Sequence, residues 1–232
     1  LAFTLVSGTK KASLPSSKES PTVTFYWSEE ATNLKKKDDL ENKKFSWAED
    51  DKTFLKLLIL EAMNTWNEVP GSFLRLQLEI NQEITADSED YKNAITLDEN
   101  LGPTVSAFAL PRIEGDTISD CDITLGSKRA EAKEMLYVLT HEIGHCLGLG
   151  HAHENRRALM GYARTDYKAT LSADDMAGLI YLYPKGDYHK ETFKMMGCAS
   201  LPGRPPKTVF LLFFLFLIPF LLPSVRKVPM KN

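Results

Sequence analysis

Apolar side chains recur along the middle of the chain with two different periods, and the switches between them predict the elements. Thr22-Val-Thr-Phe-Tyr-Trp27 has strand composition, and from Asp51 onward Leu55, Leu58, Ile59, Ala62, Met63 and Trp66 fall on one helical face. After the Pro70-Gly71 break, Leu74, Leu76, Leu78 and Ile80 alternate with Arg75, Gln77 and Glu79, the period of a half-buried strand. Shorter strands are predicted at Ala94–Leu97, Val105–Leu110 and Thr117–Leu125. A second long helix should start near Ser127 and turn Ala132, Met135, Leu136, Leu139, Ile143, Cys146 and Leu147 inward. A last helix begins at Ser172, whose hydroxyl can cap it with Asp175 in the first turn, and buries Met176, Leu179, Ile180 and Tyr183. The order β-α-β-β-β-α-α reads as an α/β sheet domain of roughly 160 residues, spanning 22–184.

Outside that span the pattern changes. Residues 1–21 are read as a leader or linker, because Ser, Lys and Pro dominate from Lys10 to Pro21, while the opening Leu-Ala-Phe-Thr-Leu-Val-Ser-Gly reads equally as the tail of a secretory apolar region or as an apolar strand. Residues 185–207, with Gly186, Gly197, Gly203 and three prolines, read as a stalk. Thr208 to Val225 is an 18-residue segment without a charge, followed by a basic tail at 226–232. A membrane-crossing helix needs about 17–25 apolar residues, so 208–225 is a candidate membrane anchor. The basic residues beyond it would keep the tail on the cytoplasmic side and the globule outside.

The net charge of -3 conceals an asymmetry: residues 22–184 carry 17 basic and 28 acidic side chains. An acidic globule offers no electrostatic footing for nucleic acid, and that class of partner is set aside. Three cysteines, Cys121, Cys146 and Cys198, are too few for a disulfide-stapled miniprotein.

The segment that carries chemistry is His141-Glu-Ile-Gly-His-Cys-Leu-Gly-Leu-Gly-His151, at the end of the second helix. Positions i and i+4 share a helical face, so His141 and His145 can offer two imidazoles to one metal ion, with Glu142 beside it. A tetrahedral catalytic zinc needs a third protein ligand and an open position, and a continuing helix would carry the chain away. Gly148 can take the left-handed conformation that ends a helix, which lets His151 return to the same metal. His153 is the rival for that place, with spacing favouring His151. Water would fill the fourth position, acidified by zinc to a pKa of about 7, with Glu142 as general base.

On this extended motif the sequence resembles the metzincin metalloproteases, and within them the matrixins. The methionine-bearing turn of that pattern is similar to Ala158-Leu-Met160. Ala62-Met-Asn-Thr-Trp66 and Phe73-Leu-Arg-Leu resemble the first helix and second strand of the family, and Leu171-Ser-Ala-Asp-Asp-Met-Ala-Gly178 resembles its final helix. Val105-Ser-Ala-Phe-Ala-Leu-Pro111 resembles its substrate-binding edge strand, which makes Ala107 and Phe108 substrate contacts by resemblance. The resemblance implies a twisted, mostly parallel sheet with an antiparallel edge strand, an active-site helix and a C-terminal helix. It also implies a zinc-dependent endopeptidase acting on polypeptides outside the cytoplasm, with Met160 as an apolar floor under the metal. Tyr162, in Met160-Gly-Tyr162, is similar in spacing to astacins and serralysins; a wall of the pocket and a donor to a developing oxyanion are its two open roles.

Departures from the matrixin pattern change the expectations. Gly115-Asp-Thr-Ile-Ser-Asp-Cys-Asp122 resembles the family's metal-binding strand, yet Ile118 stands where a histidine for a second zinc is expected. Asp116, Asp120 and Asp122 could serve calcium, but Ile123 replaces an expected carboxylate and a solvated acidic strand end is the competing reading. Cys121 lies on the strand that should pass beside the zinc helix, and Cys146 follows His145 on that helix. Either a disulfide joins them or both are buried free thiols.

Overall fold

The structure is a computed structural model and describes residues 3–8, 11–29, 34–35, 48, 50–86, 90–98, 100–101, 105–126, 130–162 and 167–186. In chain order the elements are β1 (Thr4–Leu5), β2 (Thr22–Trp27), β3 (Leu34–Lys35), α1 (Asp51–Asn67), β4 (Arg75–Ile80), β5 (Asn93–Asp98) and β6 (Ala107–Glu114). They continue with β7 (Thr117–Gly126), β8 (Ala130–Glu131), α2 (Ala132–Cys146), β9 (Leu149–Gly150) and α3 (Ala173–Leu182).

A five-stranded sheet in the order β4-β2-β5-β7-β6 organises the domain. Strands β4, β2, β5 and β7 run parallel and β6 closes one edge antiparallel to β7. The alternation in β2 has its physical outcome here: Val23, Phe25 and Trp27 are buried in the core while Thr22 faces water. Helix α1 is started by Asp50, whose carboxylate accepts the Thr53 N–H at 2.7 Å, and it buries the apolar face from Phe54 to Trp66. It meets α2 through a buried hydrogen bond in which Trp66 Nε1 donates to the Thr140 carbonyl at 2.9 Å. Ser172 and Asp175 cap α3 reciprocally, as the sequence predicts.

Three expectations are corrected. Helix α2 begins at Ala132 rather than near Ser127, because residues 130–131 are extended and pair in parallel with Leu34–Lys35. Strand β6 does not stop before Pro111 but continues to Glu114. A proline lacks the ladder donor and is tolerated on an edge strand, and the register shifts just beyond it, between Arg112 and Ile113.

The third correction concerns residues 1–21, expected to be a leader or linker. Part of this stretch is packed into the domain, while Ser17–Ser20 stay exposed: Ala12 and Leu14 are buried, and the Leu14 N–H donates to Tyr183 Oη at 3.0 Å. Ser13 adds to the start of β7, accepting the Ile118 N–H at 2.9 Å. Composition suggested a linker, but Ala12 and Leu14, two residues apart, both point inward. The stalk from 187 onward, Cys198, the 208–225 segment and the basic tail lie outside the described residues. Among the described residues no helix is long and apolar enough to cross a membrane.

Candidate metal centre

Helix α2 presents His141 and His145 one turn apart, and each ring is fixed from behind by a backbone carbonyl. His141 Nδ1 lies 2.8 Å from Leu159 O, and His145 Nδ1 lies 2.8 Å from Leu149 O. A carbonyl can only accept, so both Nδ1 atoms carry the proton and both Nε2 atoms hold a free lone pair. Those two Nε2 atoms each stand 3.2 Å from His151 Nε2.

The third ring arrives by the expected turn. Helix α2 ends at Cys146, and Gly148 takes φ +102°, a conformation that only glycine enters freely. A side chain there would also collide with the Ala12 carbonyl, so the turn and the packed N-terminal segment need the same glycine. Strand β9 then pairs antiparallel with β1, and Thr4 Oγ1 donates to the His151 carbonyl at 2.6 Å. The Tyr162 ring stacks on the His151 ring with centroids 4.2 Å apart and planes 25° apart.

With His151 in the same tautomer, three nitrogen lone pairs converge, an arrangement that a cation between them relieves. Zinc–imidazole bonds of about 2.0–2.1 Å in a tetrahedron set nitrogens about 3.3–3.4 Å apart, so the donor set fits zinc. Among the described residues, His141, His145 and His151 are the one group of three metal-ligating side chains close enough to share an ion. His153 is not in it; its ring lies 4.8 Å from the Tyr162 ring. Desolvation, and for His145 also the His141 charge, holds the imidazoles below their usual pKa, His145 at about 3. Neutral rings at physiological pH are what a metal ion requires.

Glu142 follows His141 on α2 and is half-buried. Burial pushes its carboxyl up to about 7, opposed by a hydrogen bond from the Ala109 backbone N–H on β6. Helix and edge strand are thus joined at the group that would handle a proton. Ala107 and Ala109 pack on the core, whereas Phe108 faces another cavity, shared with Thr96 and Thr124. The structure therefore separates Phe108 from Ala107 and Ala109, a consequence of strand alternation.

Met160 is buried beneath the helix, and a side chain at Gly144 would strike its sulfur and come within 2.9 Å of Trp66. The turn carrying Met160 is tied to the third ligand by the Ala152 N–H, which donates to Met160 O at 2.7 Å. It is tied to α3 by Asp175, whose carboxylate accepts the N–H groups of Leu159 at 2.8 Å and Met160 at 3.1 Å. This role of Asp175 was missed at the level of sequence, where the capping pattern accounted for the residue. Nothing local distinguishes a capping aspartate from one that also holds a distant loop.

Cys121 and Cys146 are joined in a disulfide with a 2.06 Å S–S bond, which links β7 to the last residue of α2. The reading of Asp116, Asp120 and Asp122 as a solvated acidic end is corrected for two of them. Asp120 and Asp122 are buried and accept the N–H groups of Tyr91 at 3.1 Å and Ala94 at 3.0 Å. They tie β7 to the segment entering β5, and calcium finds no assembled carboxylate set among the described residues.

Comparison with known proteins adds the family. A family model described as Matrixin matches residues 27–184. Matrix metalloproteinase-18 of Xenopus laevis is 35% identical over 133 residues, covering 55% of this chain and 28% of that protein. Stromelysin-3 of the same species is 29% identical over 144 residues, covering 60% of this chain and 30% of that protein. The chain thus spans less than a third of either relative. Among solved structures, a chain of the GM1 bound form of the ECX AB5 holotoxin aligns at 12% identity, over 78% of this chain and 90% of that one. Its TM-score of 0.44 is too low to bear on fold or function.

Proposed function

The chain belongs to the matrixin family, and from that premise we propose that it is a zinc endopeptidase that cleaves polypeptides bound along β6. The observation that carries this reading is the convergence of three imidazole Nε2 atoms, two of them on a helix that also carries the half-buried carboxyl of Glu142. His141, His145 and His151 hold the ion. When bound, zinc polarises the scissile carbonyl and acidifies water next to it.

The protein's own groups do the rest. The Leu159 and Leu149 carbonyls fix the two helical imidazoles in the tautomer that leaves Nε2 free. Glu142 is the general base: its carboxyl, held near 7 by burial, can take a proton at neutral pH and return it to the leaving amine. Among the described residues β6 is the last strand of the sheet, and a substrate backbone can lie extended along its outer side. Tyr162, stacked on His151, forms part of the wall of the site. The Cys121–Cys146 disulfide supports an extracytoplasmic location, and 208–225 remains the segment through which the protein would attach to a membrane.

The test is cleavage of an unfolded protein by the full zinc-loaded chain beside Glu142→Ala. The variant should keep one zinc per chain and lose turnover by about 10²–10⁴. Equal, undetectable cleavage by both proteins with zinc bound would replace the enzyme with a zinc-containing binding module.

A further inference from the structure

A cavity of about 580 Å³ adjoins the metal centre, and one of its walls comes from the N-terminal segment that precedes β2. His145, His151 and His153 line it on the metal side, and Ala109 and Pro111 on the edge-strand side. The remaining wall is built by Leu5 and Val6, with Thr4 and Gly8 at its ends. These residues lie upstream of the span 27–184 that the family model matches.

The wall is held in place by backbone bonds. Strand β1 pairs Thr4 with Gly150 and Leu5 with Leu149, and the Val6 N–H donates to the Gly148 carbonyl at 3.0 Å. The chain then reverses, with the Gly8 N–H donating to Leu5 O at 3.0 Å and Gly8 at φ +75°. A side chain at Gly150 would meet the Leu5 carbonyl at 2.8 Å, so the close approach depends on that glycine. The segment is therefore fixed against the two residues that precede the third metal ligand.

We propose that Leu5 and Val6 form one side of a substrate side-chain pocket and set a preference for an apolar residue at one position near the scissile bond. A polypeptide strand added to the outer side of β6 projects alternate side chains to one face, and Ala109 and Pro111 share that alternation and both line the cavity. With small side chains on the strand wall, the selective atoms are those of Leu5 and Val6. The pocket rests on the peptidase reading and takes its occupant from the same bound polypeptide.

The experiment maps cleavage sites in a peptide library by mass spectrometry, with the full zinc-loaded chain and with Val6→Arg. An apolar residue at one position should be favoured by the unaltered protein. Val6→Arg should lower kcat/KM for those peptides about tenfold and shift that position toward Asp and Glu, other positions unchanged. If Val6→Arg fails to fold, Val6→Ala widens the same wall and should shift the position toward larger apolar side chains. An unchanged profile, or an equal fall at every position, overturns the pocket while leaving the peptidase standing. Absence of any cleavage by the unaltered protein overturns both.

Discussion

The carboxylate of Asp175, in the first turn of α3, accepts the backbone N–H of Met160 at 3.1 Å, fifteen residues up the chain. The same carboxylate takes the Leu159 N–H, and the Leu159 carbonyl in turn orients the ring of His141. One buried acid thus stands two hydrogen bonds from a metal ligand while also capping its own helix through Ser172.

Asp175→Ala should therefore strand several buried donors and destabilise the fold by about 3 kcal/mol. Asp175→Asn, which keeps one acceptor oxygen, should cost less. Urea unfolding of the zinc-loaded proteins checks the order, and equal stability of all three would deny the anchor.

Gly144 sits between the two helical ligands, where an added methyl meets the Met160 sulfur and the Trp66 ring. Gly144→Ala gains helix propensity of about 1 kcal/mol, yet overpacking should cost about 1–3 kcal/mol and displace Met160. The expected outcome is a lower Tm together with weaker zinc retention, read by a chromogenic chelator.

Removing the disulfide should cost about 3 kcal/mol, the scale for a closed loop of this size, since Cys121 and Cys146 are 25 residues apart. The double variant Cys121→Ala/Cys146→Ala isolates this by leaving no stray thiol. Denaturant unfolding with and without reductant should give the unaltered protein two midpoints and the variant one.

Burial, reinforced by the nearby Asp90 charge, pushes the Asp120 carboxyl from its ordinary 3.8 up to about 6. The native state thus binds this proton more tightly than the unfolded state. Its stabilising contribution is complete below pH 3.8 and is lost as pH rises through about 6. Asp120→Asn mimics the protonated form, so its Tm should rise relative to the unaltered protein across that window. A constant difference between the two would show that Asp120 does not titrate there.

Tyr162 touches His151 through its ring face. If the ring is what matters, Tyr162→Phe should stay within a few-fold of normal turnover and Tyr162→Ala should not. Loss of an oxyanion donor costs about 10²–10³ in kcat, so a fall of that size in Tyr162→Phe would assign the hydroxyl instead.

The sequence by itself determined the metal ligands, the helix that carries two of them and the glycine that returns the third. Ligand spacing on a helix and the φ freedom of Gly148 are properties of a dozen consecutive residues, and so are the alternation of β4 and the cap at Ser172. What only the tertiary structure decided involves residues far apart in the chain. The carbonyls of Leu149 and Leu159 select the imidazole tautomers, Asp175 reaches back to the Met160 turn, and Ala109 meets Glu142 from another element. Leu5 and Val6, in an apolar opening that the sequence left open between a secretory tail and a strand, become a wall of the cavity because the backbone of Gly148–Gly150 takes up their hydrogen bonds. Short-range periodicity and dihedral preference are written in consecutive residues, whereas burial and the sharing of buried donors are decided when distant segments pack.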